Sequence, residues 1–348
     1  MQPDFTQKLL EWNIFHNNRP MPWKGETDPY KIWLSEIILQ QTRVEQGWFY
    51  YERFTKTFPD VHSLANAPEE DVYKLWEGLG YYTRCKNLIV TAKIISQKFD
   101  GIFPSSYDEI IKLKGIGPYT AAAISSFAYN EKRAVVDGNV QRVLARYFGI
   151  STPTDSHEGK KLFSYLAQSL IDEISPGIYN QAIMDFGATI CRPKNPLCNQ
   201  CVQSADCVAF RNNFVNNVPV KQKVLKIKKR WLYYFVIEND EGVYIRKRDA
   251  KDIWQNLYEF VLFETETEQE KNAIQFLEEL LQHQSYILIS TSKIFTQQLT
   301  HQRIAGRFLH VRLKKKLELN GQYRLVKKIN INEYAFPRFI NSYLEKSF

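Results

Sequence analysis

Hydrophobic positions change their rhythm about two-thirds of the way along the chain. Up to residue 210 they recur three or four apart, the period of helices that bury one face. Asp28-Pro29 supplies a cap and a first-turn proline, and Ile32, Trp33, Ile37 and Ile38 follow at helical spacing. Asp4 is in place to cap a helix through Leu9, Leu10 and Trp12. Further helical patterns fall near residues 69–77, 84–98, 107–113, 118–129, 138–148, 158–174 and 179–190. Alternating stretches are few and no repeat is visible, so residues 1–210 read as a mainly α region.

Residues 211–229 lose any period. An Asn-rich stretch (RNNFVNNVPV, 211–220) runs into KQKVLKIKKR (221–230), which holds six basic residues and no acid. This segment reads as a linker, whose basic part either follows an anionic surface or is simply solvated. From residue 230 onward WLYYFVIEN, GVYIRKR and SYILIST are rich in β-branched and aromatic residues, as strands are. An acidic amphipathic helix is expected over 267–282 and a closing one from Phe336 to Leu344. Residues 230–348 are thus expected to form an α+β domain.

Composition agrees with two folded domains. The chain has 348 residues, 44% apolar and 24% charged, which excludes intrinsic disorder, collagen and a disulfide-stapled miniprotein. Lys and Arg number 46 against 38 Asp and Glu, a net charge of +8, which favours polyanionic partners. No run of apolar residues is long enough for a membrane helix, and Met1 to Lys8 lacks the basic end and apolar run of a signal peptide. A reduced cytoplasmic setting, near the nucleoid if the source is bacterial, is therefore expected. The five cysteines are then not read as disulfides.

Four of those cysteines lie within 17 residues. Cys191, Cys198, Cys201 and Cys207 are spaced C-x6-C-x2-C-x5-C, a set suited to zinc or to a [4Fe–4S] cluster, and the spacing does not choose between them. Cys85 sits in a helical pattern and reads as a small core residue. Leu113-Lys114-Gly115-Ile116-Gly117-Pro118-Tyr119 makes a glycine turn between two helices. Its backbone N–H groups and the following helix N-terminus would seat a phosphate, or the turn is only a corner. Asp137, in Val136-Asp137-Gly138-Asn139-Val140, reads as a helix cap that the helix dipole also keeps ionised. Glu36 has Ile32 and Trp33 one turn behind it and Leu39 and Gln40 one turn ahead. Either it is an exposed surface acid, or these neighbours desolvate it and raise its pKa. Two carboxylates driven apart in this way divide into an acid and an anionic stabiliser.

Together these pieces resemble the adenine DNA glycosylases, the MutY family of the helix-hairpin-helix, iron–sulfur superfamily. The resemblance spans residues 20–207 and is carried by MPWK (21–24), DPYKIW (28–33), SEIILQQT (35–42), WEGLGYY (76–82), the hairpin, the VDGNV segment and the four cysteines. It implies a [4Fe–4S] cluster on Cys191, Cys198, Cys201 and Cys207. It also implies hydrolysis of the N-glycosidic bond of adenine mispaired with 8-oxoguanine or guanine in duplex DNA, by a monomer. Glu36 would protonate the base, Asp137 would stabilise the oxocarbenium-like sugar, and Tyr119 and Asn139 match positions beside them. Gln181 matches a base contact. Gln41 and Tyr81 match residues that enter the duplex, and Trp23, Lys24, Thr42, Leu79, Gly115 and Gly117 match neighbouring binding positions. Strand-cutting relatives carry lysine where this chain has Tyr119, and a phenol cannot form a Schiff base, so a monofunctional enzyme is expected.

Residues 230–348 resemble the family's Nudix-like module more faintly, through IWQNLYEF (253–260), Leu299-Thr300-His301 and YAFP (334–337). In the family this Thr/Ser–His loop reaches 8-oxoguanine, which points to Thr300 and His301. Gln255 and Asn256 replace usual glycines, Val261 a proline and Leu299 a phenylalanine, and the acid-rich metal-binding helix of Nudix hydrolases is not visible. Binding rather than hydrolysis is therefore expected of this module. Two rival readings are an endonuclease III-like enzyme for oxidised pyrimidines and a non-catalytic, metal-clustered DNA-binding protein.

Overall fold

The computed structural model describes residues 2–222, 227–282, 284–319 and 321–347. The helices are α1 (Gln2–His16), α2 (Pro29–Leu39), α3 (Val44–Thr57), α4 (Val61–Asn66), α5 (Glu69–Trp76), α6 (Thr83–Lys98), α7 (Tyr107–Ile110), α8 (Pro118–Tyr129), α9 (Gly138–Phe148), α10 (His157–Leu170), α11 (Pro176–Thr189) and α12 (Val208–Arg211). Strands β1 (Lys228–Asn239), β2 (Gly242–Lys247), β3 (Tyr258–Glu259) and β4 (Val261–Thr265) precede α13 (Glu270–Leu280). Then come β5 (Tyr286–Thr291), β6 (Phe295–Gln298), β7 (Gln302–Leu313), β8 (Tyr323–Val326) and α14 (Arg338–Ser347). None of the described helices is long and apolar enough to cross a membrane.

The chain divides into two compact units. The first takes residues 1–66 and 87–223, and the second takes 67–86 and 224–348. The first is helical. Its core gathers Phe5, Leu9 and Trp12 of α1 with Val140 and Leu144 of α9, Phe163 of α10 and Ile183 and Phe186 of α11. Asp28 caps α2 as expected, its side chain accepting from Tyr30 N at 2.9 Å. Asp4, by contrast, lies inside α1, which starts at Gln2.

The Asn-rich stretch after α12 is tied to this unit. Val218 is buried, Thr154 N donates to Val220 O at 3.0 Å, and Arg146 Nε donates to Val215 O at 3.0 Å. Of the basic run that follows, residues 223–226 lie outside the described residues. Arg230, its last member, is buried in ion pairs with Asp252 and Glu264, so it serves the interior of the second unit rather than an anionic surface.

The second unit is an eight-stranded mixed sheet with α13 and α14. Strand β1 is its spine, parallel to β7 over Lys228–Glu238 against Gln302–Arg312 and antiparallel to β4 and β2. Gly306 of β7 passes so close to β1 that a Cβ would stand 2.0 Å from Leu232 O, so no larger residue fits there. Residues 67–86 of this unit carry α5 and the turn that includes Leu79 and Tyr81. Tyr73 O–H sits 2.6 Å from Asn256 Nδ2, which donates to it, and Tyr258 O–H donates to Glu70 at 2.5 Å. Asn256 adopts φ +70, the conformation for which glycine is usual, and asparagine is a side chain that tolerates it.

Candidate active site

Glu36 is where the site begins. It lies in the middle of α2, only 7% exposed, because α2 is buried nearly all round: Ile32, Trp33, Leu34, Ser35, Ile37 and Ile38 are buried with it. Among the described residues no cation pairs with its carboxyl. Burial therefore pushes its pKa up to about 7, helped by the negative charge of Asp137 and opposed by a hydrogen bond from Tyr119. Of the two readings of this glutamate, the desolvated one holds.

Tyr119 enters from α8, one residue past the hairpin proline. Burial and the charges of Glu36 and Asp137 hold its phenol well above its ordinary value, so it stays protonated. Its hydroxyl faces two acceptors, the Glu36 carboxylate and Met184 Sδ at 3.3 Å. Asp137 caps α9 and accepts three hydrogen bonds, from Asn139 N and Val140 N at 2.8 Å each and from Asn139 Nδ2 at 2.6 Å. Burial lifts its pKa above the usual carboxylate value, and these donors with Arg142 hold it down. The direction departs from the expectation of a carboxylate governed by the helix dipole. Desolvation outweighs the dipole here, although each of these donors favours the ionised form.

A cavity of about 440 Å³ opens beside Glu36. That is within the range of small-molecule sites, roughly 300–1,000 Å³. Trp23, Lys24, Ser35, Glu36, Ile178 and Gln181 are among its lining residues. Tyr119, Asp137 and Asn139 do not line it; Tyr119 is joined to it by the hydrogen bond to Glu36. Trp23 is held edge-on against Tyr51. Lys24 and Gln181 both reach Asp185, a fully buried acid of α11.

The remaining expected residues belong to both units. Gln41 and Thr42 follow α2, with Gln41 exposed at φ +58 and Thr42 N bonded to Leu39 O at 3.0 Å. Gly115 has φ +78, and a Cβ there would meet Asn87 at 2.5 Å; Gly117 has room for one and stands at the N-cap position of α8. In the second unit Tyr81 is exposed at φ +49, and its hydroxyl lies 2.6 Å from Thr300 Oγ1. Thr300 and His301 are exposed on the turn between β6 and β7. Leu79, expected at a DNA-facing surface, is 5% exposed and serves the interior of its turn.

The four cysteines line one small cavity of about 30 Å³ with Arg146, Ile190, Leu197 and Phe210. Among the described residues none are grouped as a single metal ion would require. Four soft sulfur donors on one apolar pocket, with Arg146 Nη1 donating to Cys191 Sγ at 3.4 Å, are a donor set whose chemistry fits a thiolate-bound metal group. Cys85 is buried in the second unit, as expected of a core residue.

Three residues escaped the sequence reading. Arg142 spans from Asn139 Oδ1 and Gly187 O, 2.7 Å each, to Cys191 O at 2.7 Å, joining the Asp137 cap to the first cysteine. Arg146 holds the cysteine loop through Arg192 O at 2.8 Å. Asp185 collects Arg19, Lys24, Asn17 and Gln181. A lone acid within Ala182-Ile183-Met184-Asp185-Phe186 was the signal available for the last.

Comparison with known proteins shows the family of the chain. Residues 34–168 match the family described as HhH-GPD superfamily base excision DNA repair protein, and residues 233–346 match the NUDIX domain. An adenine DNA glycosylase of Buchnera aphidicola subsp. Baizongia pistaciae is 40% identical over 264 residues, 74% of this chain and 74% of its own length. The enzyme of the same name from Buchnera aphidicola subsp. Schizaphis graminum is 38% identical over 75% of each chain. Among solved structures, a thermostable thymine-DNA glycosylase superposes with a TM-score of 0.56 at 30% identity, covering 61% of this chain and 97% of that one.

Proposed function

The chain belongs to the adenine DNA glycosylase family, and we propose that it removes adenine paired with 8-oxoguanine, or with guanine, from duplex DNA by hydrolysis alone. The observation that carries the proposal is Glu36: a buried glutamic acid, its pKa near 7, on the wall of a cavity of about 440 Å³, which has room for a base. Adenine must leave the helix to reach it, at a cost of a few kcal/mol. Near pH 7 about half of Glu36 carries a proton, which it delivers to the base as the glycosidic bond breaks. Tyr119, protonated and hydrogen-bonded to the same carboxyl, fixes its orientation. Asp137, held by Asn139 and the start of α9, stands as the anion that stabilises the sugar cation, directly or through a transient adduct.

The phenol of Tyr119 is not an amine, so no Schiff base forms there and the strand is left intact. The glycine turn of Gly115 and Gly117 offers backbone N–H groups to a phosphate, while Gln41 and Thr42 meet the opened duplex. In the second unit Tyr81, Thr300 and His301 are offered to the opposing 8-oxoguanine. Cys191, Cys198, Cys201 and Cys207 would hold a [4Fe–4S] cluster, which supplies a structural staple for residues 191–207. Arg146 and Arg142 brace that loop from within the protein.

The test is base release from three duplexes: adenine opposite 8-oxoguanine, adenine opposite guanine, and thymine glycol opposite adenine. The expected result is adenine release from the first two, lost in Glu36→Gln. Release of the oxidised pyrimidine, or binding without turnover, would overturn the proposal.

A further inference from the structure

We infer that Asp185 is a positioning residue which makes the base cavity select a 6-aminopurine, by fixing which end of the Gln181 amide faces the base. The inference rests on the glycosylase reading above and deepens it. Asp185 is 0% exposed and lies one helical turn beyond Gln181 on α11. Its Oδ1 accepts from Arg19 Nη1 at 2.9 Å and from Gln181 Nε2 at 3.0 Å, and its Oδ2 accepts from Asn17 Nδ2 at 2.9 Å with Lys24 Nζ at 3.7 Å.

A carboxylate only accepts hydrogen bonds, whereas a glutamine amide donates from one end and accepts at the other. Gln181 therefore has one orientation open to it. One N–H of its Nε2 is held by Asp185, which fixes the amide's orientation and leaves Oε1 as the acceptor it can offer to the cavity that Gln181 lines. Among the described residues that oxygen receives no hydrogen bond. An unanchored glutamine would turn over freely and present donor or acceptor alike. Anchored, it offers an acceptor, which matches the exocyclic N–H group of adenine and opposes the O6 atom of hypoxanthine or guanine. A pair of adenine with 8-oxoguanine contains one base of each kind, so this orientation also decides which of the two is accepted. The same carboxylate ties down Asn17, Arg19 and Lys24, whose loop supplies Trp23 and Lys24 to the cavity wall.

The experiment is single-turnover release from duplexes carrying adenine or hypoxanthine opposite 8-oxoguanine, with the full chain as wild type, D185N, Q181M and the double variant. The wild type should favour adenine. Each single variant should lower the adenine-to-hypoxanthine ratio at least about tenfold, as expected when a buried polar contact is lost. The double variant should lower the ratio no further. Equal slowing of both bases in D185N, with the ratio kept, means a merely structural role and overturns the inference. Should D185N fail to fold by circular dichroism, Q181M leaves the Arg19 and Lys24 anchors intact and decides alone: an unchanged ratio overturns the inference. A wild type that releases neither base fails at the earlier step, and sinks the glycosylase reading with it.

Discussion

Two buried glutamates, one in each unit, meet opposite fates. Glu36 in the helical unit has apolar neighbours and a phenol, and burial carries its pKa up to about 7. Glu238 in the sheet unit is 0% exposed, yet its carboxyl sits below the usual value. Burial pushes it up too, but Lys328, His310 Nε2 at 2.6 Å and Arg312 Nη2 at 2.6 Å more than offset that. Burial alone thus does not decide the charge of an acid; the partners buried with it do. The sheet unit neutralises its buried acids with cations and gains a fixed internal network, seen again where Arg246 and Arg248 enclose Glu259. Leaving Glu36 without a cation gives up stability and keeps a transferable proton.

The sharpest way to break this contrast is to remove the proton. Glu36→Gln keeps size and hydrogen bonding but has no acid to give, so adenine release should fall by about 10²–10⁴, the usual worth of a general acid. In the wild type the rate should decline as pH rises through about 7, where Glu36 ionises. Single-turnover rates from pH 5.5 to 9 measure both. A flat profile there would mean that another group supplies the proton.

The stability of the same variant should move the other way. The folded pKa of Glu36 lies above its ordinary 4.5, so the native state holds its proton more tightly than the unfolded chain does. Native stability is therefore lost as pH climbs from about 4.5 to 7, reaching about 3 kcal/mol when the group is fully ionised. Glu36→Gln removes that loss, and denaturant titrations at pH 5 and pH 8 should find it gaining on the wild type only at the higher pH. Glu238→Gln should do the opposite. Its depressed pKa contributes stability that is present above about 4.5 and lost as pH falls further, so at pH 7 the variant should lose about 2 kcal/mol. The figure sits below that for a fully buried pair because Arg312 and Lys328 reach water.

The contrast also marks what could be read from the chain itself. The burial of Glu36 and the capping by Asp137 were legible because local neighbours set them, Ile32 and Trp33 in one case and the start of a helix in the other, whereas the burial that raises the Asp137 pKa was not. Helices α8 and α9 were legible for the same reason, with Pro118 and Asp137 at their first turns. Partners distant in sequence were not. Strand β7 was passed over because its place in the sheet depends on eleven paired positions of β1, 74 residues away, rather than on its own pattern. Helix α3 went unread as well, its buried face being only Gly47, Tyr51 and Phe54, beside the half-buried Trp48 and Tyr50 and the exposed Phe49. Glu238, Asp185 and Arg142 owe their roles to contacts 45 to 168 residues away, which no local spacing announces. Arg230 looked like part of a basic surface run because Asp252 and Glu264, which bury it, come later in the chain.

The smallest effect should come from Tyr81→Phe. The hydroxyl it removes bonds Thr300 Oγ1 at 2.6 Å, but Tyr81 is 44% exposed and Thr300 is exposed as well. Water replaces most of such a bond, so the melting temperature should change by less than the few degrees that about 1 kcal/mol produces. Unlike Glu238, this pair contributes no charge to the second unit and nothing to its core. On the proposed function, it would hold Thr300 beside Tyr81 for the base opposite adenine. Tyr81→Phe should therefore reduce the preference for 8-oxoguanine over guanine opposite adenine while leaving stability almost untouched, and competition binding with the two duplexes measures it. A variant that lost stability by several kcal/mol would make this contact part of the second unit's scaffold instead, on the same footing as the Glu238 network.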